Sequence, residues 1–101
     1  MDKIIRDGKV AVIISPGYGA GWFSWNDSYP ALLFDPQLVA AVEAKDWAVI
    51  ERRAKEIAPG GYFSTEGLTI RWVPVGWKFR IDEYDGSEDL VIESDDQWII
   101  A

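Results

Sequence analysis

Two residue types are missing from this chain of 101 residues, which contains neither cysteine nor histidine. Without cysteine there is no disulfide framework and no thiolate chemistry, which suits a reducing compartment and excludes a redox function at sulfur. Without histidine the commonest general base near neutral pH and the commonest transition-metal ligand are gone. Ser-His-Asp, Cys-His, zinc-finger and His-Glu-x-x-His schemes are all excluded, and no enzymatic activity is expected. Carboxylate-only metal sites stay open in principle, but the acidic residues are scattered or sit in turns rather than in the spacing of a calcium loop, so no metal or cofactor is expected. No apolar run approaches the ~18 residues that span a bilayer. The opening Met1-Asp2-Lys3-Ile4-Ile5-Arg6-Asp7 lacks the apolar segment of a secretory signal, so a cytoplasmic location is expected. Cations are also scarce: 10 Lys and Arg stand against 17 Asp and Glu, a formal net charge of −7. That average field repels duplex nucleic acid and anionic membranes, while a local cationic pocket for a small anion stays possible.

Hydrophobic residues make up 49% of the chain, enough for one core, and residues 1–101 read as a single domain. Asp7-Gly8 between apolar β-branched stretches predicts a hairpin with strands at about 3–6 and 9–15. Val10 to Ile14 are apolar without alternation, the pattern of a central strand covered on both faces. Asp35-Pro36 supplies a cap and a first-turn proline for a helix at about 36–44. Asp46 opens a second helix ending near Ala58, with Trp47, Ile50, Ala54 and Ile57 at helical spacing and Trp47 read as core. Short β-type runs follow at Leu68 to Val73, Trp77 to Tyr84, Leu90 to Glu93 and Gln97 to Ile100, separated by turns at Pro74-Val75-Gly76, Asp85-Gly86-Ser87 and Ser94-Asp95-Asp96. The alternation of Trp77, Phe79 and Ile81 with Lys78, Arg80 and Asp82 predicts one buried and one exposed face. The expected fold is α+β, a mostly antiparallel sheet of five to six strands that includes a C-terminal meander, with two helices packed on one face.

The segment most able to carry chemistry is Ser15 to Asn26. Gly17, Gly19 and Gly21 alternate there beside Tyr18, Trp22, Phe23 and Trp25. Glycine lets backbone N–H groups converge on an anion, and neighbouring aromatic rings can stack on a planar base, the pairing that a nucleotide needs. The text matches neither the Gly-x-Gly-x-x-Gly nor the Gly-Lys-Ser/Thr phosphate motif. An Ω-like loop whose tryptophans cap the core is the structural alternative. Candidate ligand-binding residues are Ser15, Gly17, Tyr18, Gly19, Gly21, Trp22 and Trp25, with Arg71 and Arg80 as cations that neighbouring strands can bring to the same ligand; the alternative reading makes those cations, like Arg52-Arg53, ordinary solvated charges. The acidic run from Asp82 to Asp89 reads as hairpin-turn chemistry. Six tryptophans exceed what one core of this size needs, which predicts a homo-oligomer.

Across Lys9 to Trp22 with its Ser-Pro-Gly-Tyr-Gly-Ala-Gly-Trp text, Leu32-Leu33-Phe34-Asp35-Pro36 and Phe79-Arg80-Ile81-Asp82-Glu83-Tyr84-Asp85-Gly86, the chain resembles a family of small accessory proteins of tailed bacteriophages. The resemblance brings no catalytic residues. It implies a compact protein made in an infected bacterial cytoplasm, a class that includes counter-defence proteins. Some of these are sponges, homo-oligomers that sequester a nucleotide immune signal. Two other readings stay open: an acidic inhibitor directed at a host defence enzyme, and a structural or regulatory accessory protein.

Overall fold

The computed structural model describes residues 2–17, 21–24, 26–61, 65, 67–84, 87–92 and 99–100. The chain opens with a hairpin of β1 (Ile5–Arg6) and β2 (Lys9–Ile14), joined at the register Arg6↔Lys9. Its two connecting residues, Asp7 (φ 52°) and Gly8 (φ 74°), both take positive φ, as a type I′ turn requires. From Val10 onward β2 is buried along its whole length. It is the middle strand of an antiparallel sheet ordered β1-β2-β3, where β3 is Thr69–Pro74 and Val12 faces Arg71.

Between β2 and β3 lie three helices: α1 (Ala31–Phe34), α2 (Pro36–Ala44) and α3 (Trp47–Ile57). The second and third begin at the expected caps, with Asp35 accepting from Leu38 N–H and Asp46 from Val49 N–H. The single turn of α1 is unexpected: it follows Pro30 without a side-chain cap and is held by the burial of Leu32, Leu33 and Phe34. Both α1 and α2 pack on β2, and α3 packs on α2.

The remaining strands, β4 (Lys78–Tyr84), β5 (Ser87–Ile92) and β6 (Ile99–Ile100), form a second antiparallel sheet ordered β5-β4-β6. The α+β class holds, but the single sheet with a meander does not. The reason is long-range: β3 takes β2 as its partner, and the turn closed by Trp77 N–H donating to Pro74 O (3.1 Å) leads the chain into a separate sheet. The two sheets share one core. Phe79 of β4 meets Phe34 of α1 edge to face at 6.1 Å, and both rings are buried with Ile13, Ile14, Leu38 and Ile50.

Lys78, Arg80 and Asp82 are exposed and Phe79 is buried, as the alternation requires. Two tryptophans assigned to the core are instead on the surface, Trp47 at 45% and Trp77 at 54% exposure. Trp47 is the first residue of α3, one turn before the buried stripe of Ile50 and Ala54 begins. Trp77 precedes β4 and projects where no facing element covers it among the described residues. Ser87, expected in a turn, starts β5; the expected turn residues Asp85-Gly86 and Ser94-Asp95-Asp96 lie outside the described residues.

Candidate functional site

At the end of β2 the chain enters the glycine-aromatic loop, and both sides of that loop are fastened to one side chain, Glu88 of β5. On the near side Ser15 N–H donates to Glu88 Oε1 (2.9 Å), and Glu88 N–H donates back to Ser15 O (2.7 Å). Ser87 Oγ–H donates to Pro16 O (2.6 Å) beside them. On the far side the N–H groups of Trp22 (3.0 Å), Phe23 (2.7 Å) and Ser24 (2.8 Å), with the Ser24 hydroxyl (2.9 Å), all donate to Glu88 Oε2. Gly21, at φ 78°, sits immediately before the three converging amides, in a conformation that favours glycine.

This is the anion-binding concavity that consecutive N–H groups form, and the chain's own carboxylate fills it. Glu88 is 1% exposed. Burying a carboxylate alone is expensive, and five donors with short charge-assisted hydrogen bonds offset that cost. The far side is knitted further. Asn26 Nδ2–H donates to Trp22 O (2.8 Å) and its N–H to Phe23 O (2.8 Å).

The geometry corrects two expectations for the loop. The Trp22 ring is not a stacking face: it is 0% exposed, and its indole N–H donates to Leu32 O (2.8 Å). The amides of Ser15 and Trp22 are not available to a ligand, because they satisfy Glu88, and Ser15 itself is buried. Gly17 is exposed, and a Cβ there meets nothing within 4 Å. Tyr18, Gly19 and Trp25 lie outside the described residues. Arg71 is exposed on β3 in the first sheet; Arg80 is exposed on β4 in the second and donates through Nε to Asp82 (2.9 Å). The two cations thus stand on different sheets.

Glu88 was hidden by its neighbours, since Asp-Gly-Ser-Glu-Asp reads as turn text. The available signal was period two: Glu88 shares a face of β5 with Leu90, which packs against the core. Arg53, read as a surface cation, is a second correction. It is partly buried and grips Asp35 through Nε (3.0 Å) and Nη2 (2.8 Å), tying α3 to the start of α2. Burial pushes the Asp35 carboxyl up, but hydrogen bonds from Arg53 and Leu38 N–H, with the guanidinium charge, hold it below the ordinary aspartate range.

Among the described residues no group of three or more acidic side chains is placed to hold a metal ion, and no helix is long and apolar enough to cross a membrane. Comparisons with protein-family models, curated proteins and solved structures find no match to this chain.

Proposed function

We propose that this is a non-catalytic binding protein that sequesters a small nucleotide-type ligand in an infected bacterial cell, with the loop between β2 and α1 as its recognition element. The observation that carries this reading is the clamp on Glu88, which fixes the loop on both sides by five hydrogen bonds to one buried carboxylate. A loop whose two flanks are anchored before its ligand arrives has less conformational freedom to lose on binding, the usual way in which a recognition segment gains affinity. Ligand contacts then fall to the residues between the two clamped sides and to Trp25, with Tyr18 or Trp25 as the stacking ring in place of Trp22. The lack of histidine and cysteine fits capture without turnover.

The test is incubation with a panel of cyclic and linear nucleotides, release of intact ligand by heat, and calorimetry on variants. Tyr18→Ala or Trp25→Ala should weaken binding by about 1–3 kcal/mol if the ring stacks on a base. Gly17→Val, placed where a side chain meets open space, should leave the melting temperature unchanged and lower affinity. Retention of full affinity in all three variants, or chemical conversion of the nucleotide at catalytic ratios, would overturn the proposal.

A further inference from the structure

Among the described residues, cavities of about 290, 330 and 360 Å³ open on the surface, at the lower end of the range for small-molecule sites. They differ in whether their linings hold chemistry that the chain itself leaves unused. The first is lined by Arg6, Asp7, Lys9 and Trp72, but Arg6 is bound to Glu43 and lies over the Trp72 ring (5.4 Å), while Asp7 offsets Lys9. The second runs along α2 and the start of α3 over Ala40, Ala41 and Ala44, small side chains that select no particular occupant. The third, and the largest of these, lies between the first turns of α3 and the residues that lead into β3, and is lined by Trp47, Glu51, Thr65 and Gly67.

Trp47 and Glu51 stand four residues apart on α3, so their side chains share one face, one turn apart. Trp47 is about half exposed, and Glu51 is exposed. Neither has a partner among the described residues. No Lys or Arg reaches the indole ring or the carboxylate, and Lys55, at i+4 from Glu51, forms no ion pair with it. On the other wall Gly67, at φ 69°, leaves the space open, since a Cβ there meets nothing within 4 Å.

A free ring face beside an unpaired carboxylate is the pairing that holds an organic cation. The ring quadrupole attracts the charge, Glu51 neutralises it, and the indole covers the apolar substituents. An alkylated ammonium suits this better than a lysine-type ammonium, whose tighter hydration must be stripped before it meets the ring. The positive end of α3 opposes a cation, but Asp46 meets that end with its own carboxylate, accepting from Val49 N–H (3.3 Å). The net charge of −7 draws cations toward the molecule.

We propose that this cavity is a binding site for a small alkylated ammonium ion, its charged head set against the Trp47 ring and Glu51, with Thr65 and Gly67 as the opposite wall. The inference uses none of the residues assigned to nucleotide capture and does not depend on that reading.

Choline serves as the probe, with its uncharged carbon isostere, dimethylbutanol, as the comparison. Each is titrated at constant ionic strength while two-dimensional NMR follows the Trp47 indole N–H, identified by its loss in Trp47→Phe. Choline should shift that signal saturably, with a dissociation constant below about 10 mM. The isostere should bind at least about tenfold more weakly, because the ring and the carboxylate recognise charge rather than shape. Glu51→Gln, an exposed and isosteric change, should weaken choline at least about threefold, and Trp47→Ala should abolish the choline-dependent shift of the Gly67 amide. Near-UV circular dichroism checks that both variants are folded. Should Trp47→Ala fail to fold, Glu51→Gln and the uncharged isostere decide the question alone. No saturable shift with choline, equal binding of the isostere, or full affinity in Glu51→Gln would each overturn the proposal.

Discussion

Glu88 concentrates more hydrogen bonds than any other side chain among those described, and its removal leaves four backbone N–H groups and a serine hydroxyl facing an empty space. Glu88→Ala should therefore destabilise the protein by about 3–5 kcal/mol in urea unfolding, the range for breaking a buried charged network. Glu88→Gln keeps the shape but turns one of the two acceptors into a donor aimed at donors, so it should be nearly as damaging. A carboxylate supplied from solution can refill the concavity in the alanine variant. Formate should raise the melting temperature of Glu88→Ala and leave the wild type unchanged, because a ligand that binds only the native state adds to its stability. Absence of any formate effect in a folded Glu88→Ala protein would remove the idea that the amides form an anion site in their own right.

The helices and strands show where local text suffices and where it fails. The Asp7-Gly8 hairpin and the caps at Asp35 and Asp46 were legible because each depends on residues within a few positions. Gly8→Ala should cost about 1–2 kcal/mol from the left-handed backbone alone, with no steric share, since a Cβ there meets nothing within 4 Å. The Asp35–Arg53 pair makes a prediction in pH. The folded-state Asp35 carboxyl lies below its unfolded value, near 3.9, so its contribution is present above that pH and is lost as pH falls through the lower folded value. The stability difference between wild type and Asp35→Asn, which keeps a capping oxygen, should be constant near neutrality and shrink in acid. What local text could not supply was the choice of partner. Nothing in Leu68 to Val73 tells β3 to pair with β2 rather than β4, and nothing in the Trp47 or Trp77 spacing shows that both rings stay about half exposed among the described residues. Glu88 stayed invisible for the same reason, since its partners are more than sixty residues away.

At the scale of the whole molecule, the tryptophans divide by environment in a way that solution optics can read. Trp22 is sealed in the core, while Trp47 and Trp77 are each about half exposed. Acrylamide quenching should lose a large part of its amplitude in Trp47→Phe and Trp77→Phe and almost none in Trp22→Phe.

The clamp also sets an order of events in time. Ser15 and Glu88 are 73 positions apart, so a ribosome working at 5–20 residues per second emits the loop roughly 4–15 s before the carboxylate that shapes it. During that interval the amides of residues 22–24 have only water as a partner, and the loop has no reason to hold its final form. The clamp consequently closes late in synthesis, once β5 has been delivered. A growing or truncated chain that stops short of residue 88 lacks the carboxylate on which both sides of the loop close.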